Sequence, residues 1–376
     1  MSIPICDKNH NHIVGHTNVL TITIINVHTH NPLKKGKFHT MKIVKTLAAA
    51  GAAVVATVGI VQPASAKTPD IDFLSSDLDV STIMNDYGLD SAHADSVVDT
   101  LSDQSAFDDV TTSLFDGNFQ CPANIVLSIP ATANSASFIP EDIPFGLGNL
   151  GNFGRLTAHP NTQVKTVPYN ASWWTSVWSY NESRDMGIAA AHKILSQQAA
   201  HCPNAKFHFY GYSEGSDVAS ALIDGIAHGR GPISPEQFGS ASLIANPTRN
   251  PSAPHTNQIG STNSATGGFF PARDYGMLTD KVRETCNVGD VVCDTTPTAG
   301  HLYHEHVRDA MSNTALFRGK FTDNALFKLV QSLSPDTALP AFVEVPASVL
   351  GWIIHISSYL AGGFDQGTRH IEANLA

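Results

Sequence analysis

Short apolar runs alternate with longer amphipathic ones between residues 121 and 245, and no other feature of the chain constrains its fold as tightly. Ile125-Val126-Leu127-Ser128-Ile129, residues 163–169, residues 205–210 and Ser242-Leu243-Ile244-Ala245 read as buried strands. Between them, residues 180–200 place Met186, Ile188, Ala189 and Ile194 inward on a helix, and residues 216–228 carry Val218, Leu222 and Ile226 on one stripe. Strands joined by crossover helices predict an α/β protein, a doubly wound and mostly parallel sheet covered on both faces. Asn246-Pro247 halts the last of these strands, and residues 248–268, rich in Asn, Ser, Thr, Pro and Gly, read as a surface loop.

The 376 residues are ample for such a core, and 42% of them are hydrophobic. The net charge of −11 makes nucleic acid an unfavourable partner, because few phosphates would find a cation.

The first 66 residues read as pieces outside the mature fold. Lys42 and Lys45, the apolar stretch from Leu47 to Val61 and the small-residue site Ala64-Ser65-Ala66 form a secretory signal over 41–66, with cleavage expected after Ala66. The apolar stretch is short for a membrane span and Pro63 follows it, so a stable membrane span is not expected. Residues 1–40 hold six of the 18 histidines and no core-forming period. They read as a mis-annotated leader with Met41 as the true start, and their histidines have no Cys or carboxylate partners at metal-ligand spacing.

Removing residues 1–66 leaves 16 basic and 32 acidic residues, a net charge of −16. Residues 67–120 hold twelve Asp and one Lys, with apolar positions such as Ile83, Val97, Val98 and Leu101 at helical spacing. This predicts an N-terminal helical acidic pre-domain. It contains no EF-hand-type calcium loop, so a solvated acidic face is the simpler reading.

Four cysteines remain in an exported chain: Cys121, Cys202, Cys286 and Cys293. An even set favours disulfides and allows three pairings; the seven-residue spacing of Cys286 and Cys293 suits a small loop, leaving Cys121 with Cys202. C-x₂₋₄-C pairs for zinc are lacking.

The chemistry concentrates in Gly211-Tyr212-Ser213-Glu214-Gly215, between a strand and a helix. Such a turn lifts the serine hydroxyl above the sheet edge, and the helix N-terminus faces the oxyanion that forms after attack. A serine needs a base and the base needs an acid, in the chain order Ser, Asp or Glu, His. Downstream lie Asp290, within the loop between Cys286 and Cys293, and then Gly300-His301-Leu302-Tyr303-His304-Glu305-His306.

With these residues in view, the segment from Cys121 to about Val307 resembles the cutinase family of secreted α/β-hydrolase serine esterases, specifically its bacterial cutinase-like branch. The shared features are a Cys before the first strand, Cys202-Pro203 before the nucleophile strand, G-Y-S-x-G, C-N-x-G-D-x-V-C and a following His-Leu. The resemblance implies an α/β-hydrolase domain over 121–320 with a C-terminal helical extension over 321–376. It also implies Ser213 as nucleophile, Asp290 as acid, and Cys121–Cys202 and Cys286–Cys293 as bridges. The matching His-Leu points to His301 as base, with His304 one turn away as runner-up and His306 on the surface. The family's oxyanion donors fall on Thr132 and on the backbone N–H of Glu214. Glu214 departs from the family's usual Gln, and an ionised carboxylate there would repel the oxyanion. It is therefore expected to point away, or to be held protonated or hydrogen-bonded, with Glu214→Gln tolerated.

Trp173, Trp174 and Trp178 read as core or as a lipid-facing rim. Residues 346–361 read as one amphipathic helix, with Val349, Trp352, Ile353, Ile356 and Leu360 docked on the core opposite Ser348, Gly351, His355 and Ser358. By length and polarity it falls short of a bilayer span, and a cap over the site is the other reading. Arg273 and Asp274 read as a loop pair. The expected function is a secreted esterase or lipase of the EC 3.1.1 type acting on a small or polymeric lipid ester through an acyl-enzyme, with no cofactor and no metal. Its expected place is extracellular or in the cell envelope. Two alternatives stand beside it: an envelope acyl (mycolyl-type) transferase, separated by product analysis with an added acceptor, and a non-catalytic envelope-binding protein on a hydrolase scaffold, separated by inertness to a fluorophosphonate.

Overall fold

A computed structural model describes residues 80–375, apart from 88, 103–120, 138, 142, 144–145, 147–153, 172–176, 252–258, 261–265, 316–319, 321 and 323. The signal, the leader, Trp173 and Trp174 lie outside the described residues. Among the described residues, six strands form one parallel sheet in the order β2-β1-β3-β4-β6-β5. They are β1 (Asn124–Ile129), β2 (Thr162–Thr166), β3 (Lys206–Tyr212), β4 (Phe238–Ile244), β5 (Ile259–Gly260) and β6 (Val282–Cys286). β1 and β3 pair in register from Asn124 with Lys206 to Ile129 with Gly211, so the carboxyl end of the sheet presents Ser213 one residue beyond β3.

Alternate residues of each strand point to opposite faces. Ile125, Leu127, Phe207, Phe209, Ala241 and Leu243 join a core covered by helices α3 (Tyr180–His201) and α4 (Glu214–Ala227). Val126, Tyr210, Tyr212 and Ile244 join a second core with Tyr359, Phe364 and Ile371 from the C-terminal segment. The doubly wound parallel sheet is thus present.

The short helices α1 (Val80–Tyr87) and α2 (Ala94–Ser102) do not stand apart as a separate pre-domain. Ile83, Tyr87, Leu89 and Val97 belong to the core above α3 and α4. His93 Nδ1 lies 2.8 Å from Asp185, and Ser96 Oγ donates to Glu182 at 2.6 Å. The apolar positions at helical spacing are the face that anchors them.

After β6 come α5 (Thr295–His301), a π-helical turn (Leu302–Val307), α6 (Arg308–Ser312), α7 (Ala325–Ser332), α8 (Pro335–Ser357) and α9 (Gly363–Glu372). The last of these packs directly on the sheet. A Cβ at Gly367 of α9 would meet Ser242 Oγ of β4 at 2.5 Å, so only glycine lets the helix lie that close. Arg155 adds a fork to Asp365 and Glu372.

The helix α8 is longer and more apolar than the sequence suggests: residues 336–360 are long and apolar enough to cross a membrane by length and composition. Ser348 and His355 are nevertheless buried against the body, while Val349, Ile353, Ile356 and Leu360 are exposed. The helix is therefore turned the opposite way to the amphipathic reading. Gly351 explains the orientation: a Cβ there would meet Val291 Cβ at 2.8 Å and Gly289 O at 3.0 Å, so this is the face that fits the loop 287–293.

Disulfides join Cys121 to Cys202, 81 residues apart, and Cys286 to Cys293, seven apart. In the chain-entropy account, removing the first costs about 4–5 kcal/mol and removing the second about 2–3. Paired Cys-to-Ser variants are expected to divide the two effects. Loss of 121–202 lowers the denaturation midpoint more, and loss of 286–293 lowers kcat more because Asp290 sits in that loop. Urea unfolding and ester kinetics on both variants check this.

Candidate active site

Ser213 follows β3 and precedes α4 with φ 54° and ψ −122°. That left-handed backbone costs a β-substituted residue about 1–3 kcal/mol. Both flanking glycines make it possible. A Cβ at Gly211 would meet Gly215 O at 2.6 Å, and one at Gly215 would meet Ile129 O at 2.1 Å. The turn is pinned by Ser213 N–H donating to Ile244 O at 2.9 Å, and the serine stands at the sheet edge, partly accessible.

Ser213 Oγ lies 2.9 Å from Nε2 of His355 on α8. On the other side of the ring, Nδ1 lies 3.1 Å from both carboxylate oxygens of Asp290. Asp290 is fully buried and His355 is 4% exposed. The carboxylate is fixed from behind by two donors, Val292 N–H at 2.8 Å to Oδ1 and Tyr359 O–H at 2.6 Å to Oδ2. Burial and the Asp290 charge push the Tyr359 phenol well up, so it stays a donor. The imidazole is held by Tyr212, whose hydroxyl donates to His355 O at 2.6 Å and whose ring stacks on it at 5.4 Å. Trp352 meets the ring edge-on at 5.4 Å.

The structure brings Ser213 and Asp290 together but gives the bridging position to His355, not to His301 or His304. His301 is exposed, and its Nδ1 lies 2.6 Å from Glu344 of α8. Glu344 also accepts Leu302 N–H at 2.8 Å, so His301 fastens the π-helical turn to α8. The Glu344 carboxylate raises the pKa of His301 by hydrogen bonding and charge. His304 is half-buried on the π-helical turn, and burial followed by Arg308 lowers its pKa. Neither ring hydrogen-bonds Ser213 or Asp290. His306 is buried rather than on the surface, with Nδ1 3.0 Å from Ser332 Oγ. Arg273 donates to Asp217 at 3.2 Å, whereas Asp274 accepts Gly276 N–H, so the two are not a pair. Trp178 is partly buried against the core.

On the far side of Ser213, Thr132 follows β1 in a turn where Asn134 Nδ2 donates to Thr132 O at 2.7 Å. Glu214 is the first residue of α4, so its N–H has no partner within the helix. Its side chain is 1% exposed and does not leave the site: it meets the Thr132 hydroxyl at 2.5 Å and also bonds Ser183. Burial raises its pKa to about 8, against the pull of the Ser183 and Thr132 hydrogen bonds.

The chain matches known proteins in sequence and in structure. Residues 146–318 match the family model Cutinase. A carboxylesterase Culp6 homolog of Corynebacterium glutamicum is 26% identical over 255 residues, 59% of this chain and 79% of the relative. Among solved structures, an acetylxylan esterase is 18% identical with a TM-score of 0.42, covering 68% of this chain and 100% of its own. A cutinase-like protein from Cryptococcus sp. is 18% identical with a TM-score of 0.37, covering 61% and 96%. The family match includes Ser213, Asp290 and His301 and ends before His355.

Proposed function

We propose that this chain, a carboxylic ester hydrolase whose residues 146–318 carry the cutinase family domain, cleaves acyl esters through a Ser213-His355-Asp290 relay and an acyl-enzyme. The observation that carries the reading is the continuous contact from Ser213 Oγ through the His355 ring to a buried Asp290. Ser213 Oγ attacks the ester carbonyl carbon while His355 Nε2 takes the hydroxyl proton. The tetrahedral oxyanion is held by the N–H groups of Thr132 and Glu214 and by the α4 N-terminus. Collapse breaks the bond to the alcohol oxygen, which receives the proton from His355. Water then attacks the acyl-serine with His355 again as base, releasing the acid and restoring Ser213.

The substrate is an uncharged acyl ester. Support comes from the apolar residues that α8 exposes on the turns around His355, among them Ile353 and Ile356. Export through the 41–66 signal is supported by two disulfides, which persist in oxidising compartments. An alkyl fluorophosphonate is expected to label the protein at the peptide containing Ser213 and to leave Ser213→Ala unlabelled. A panel of esters of rising acyl length then gives chain preference. An unlabelled, inactive wild type overturns the reading.

A further inference from the structure

The side chain of Glu214 has no part in the relay above, yet it is buried against the Thr132 hydroxyl at the oxyanion end of the site. Three contacts run in series: Thr132 Oγ1 to Glu214 Oε2, Glu214 Oε1 to Ser183 Oγ, and Ser183 Oγ to the Asn170 carbonyl at 3.0 Å. The two hydroxyls bring one proton each, and the Asn170 oxygen brings none. Three hydrogen bonds need three protons, and only a protonated Glu214 supplies the third.

We propose, on the esterase reading above, that Glu214 is a positioning acid that gates the oxyanion hole through Thr132, open when the carboxyl is neutral and closed when it is ionised. Neutral, Glu214 donates from Oε1 to Ser183 Oγ, which donates on to the Asn170 oxygen, and the uncharged Oε2 yields the Thr132 proton to the oxyanion, the stronger acceptor. Ionised, Glu214 holds the Thr132 proton and sets a negative charge beside the developing oxyanion.

The surroundings favour the neutral form. Asp217 on the same helix adds a like charge, and Tyr169 and Tyr180 supply buried rings. Arg184 on α3 opposes them, although its guanidinium is committed to Asp185 at 2.7 Å. Asp217 itself is engaged by Tyr180 at 3.0 Å and Arg273 at 3.2 Å. Burial outweighs these effects and places the carboxyl's titration near 8. Stability follows the same sign. Between its ordinary value of 4.5 and about 8 the folded chain holds a proton that the unfolded chain has lost, so this group's contribution falls as pH rises through that window.

The test is the pH profile of kcat/KM for a neutral short-chain ester, measured with the full chain in a pH-stat. Wild type is expected to lose activity above pH 8 by about tenfold per pH unit, as a single essential acid requires. Glu214→Gln, normalised to its own value at neutral pH, is expected to lose this alkaline fall. Asp217→Asn, which removes a like charge, is expected to move the fall to lower pH, and it carries the test if Glu214→Gln does not fold. A wild-type profile without an alkaline fall, or one unchanged in both variants, overturns the gate. If Ser213 still takes the fluorophosphonate in that case, the gate alone has failed; if it does not, the esterase reading has failed with it.

Discussion

Alanine in place of His355 is expected to lower kcat by about 10⁴- to 10⁶-fold, the range seen when a serine hydrolase loses its base. The imidazole holds both ends of the relay, 2.9 Å from Ser213 Oγ and 3.1 Å from Asp290, and no other histidine among the described residues bonds either one. Without it the serine hydroxyl keeps its proton and the alcohol leaves unprotonated. What survives is the oxyanion hole and substrate binding. His301→Ala and His304→Ala are the controls, expected to keep kcat within a few-fold. His301 loses only an exposed pair with Glu344, the kind of contact that contributes little. Fluorophosphonate labelling rates of all three variants give the same ranking without a substrate. A His355→Ala enzyme that labels at the wild-type rate, or a His301→Ala enzyme that does not label, would return the base to His301 or His304.

The nucleophile turn was legible in the chain because its determinants are local. Gly211 is required by the backbone of Gly215 in the same turn, and the strand and helix beside it carry their own periods. Asp290 and its flanking cysteines were legible because a seven-residue loop leaves the carboxylate few places to go. His355 was not. A pattern of Val349, Ile353, Ile356 and Leu360 says that α8 is amphipathic, but hydrophobicity cannot say which face meets the protein when the polar face carries the site. Two signals did exist. His355 also follows Ser213 and Asp290 in the chain, and Gly351 one turn before it marks a close helix contact. The helices α1 and α2 are a related case: Ile83 and Val97 were legible as an apolar helical face, but not that this face meets α3 and α4. Glu214 was recognised as a departure, but its burial against Thr132 and Ser183 is a distance of tertiary structure.

Asp290→Asn is the second large effect, expected to lower kcat by about 10⁴-fold with little change in KM, as in serine proteases whose triad aspartate becomes asparagine. Both non-histidine partners of the carboxylate are donors: Val292 N–H at Oδ1 and Tyr359 O–H at Oδ2. An asparagine has one oxygen for them, and the fixed amide N–H of Val292 takes it. The side-chain amide NH₂ then occupies the Oδ2 position and donates to His355 Nδ1. That places the ring proton on Nε2, where it faces Ser213 Oγ and cannot accept from it. The loss is one of tautomer rather than of position, so the fold and the substrate contacts persist. Tyr359→Phe separates the two: the carboxylate remains, one hydrogen bond to it is lost, and kcat falls by about tenfold. Asp294, buried four residues further on and bonded to Gly289 N–H at 2.9 Å, supplies the internal control. Asp294→Asn is expected to lower stability and spare the pre-steady-state acylation burst that Asp290→Asn abolishes. A burst retained in Asp290→Asn would mean that His355 does not depend on this carboxylate, and the relay would have to be redrawn around another acid.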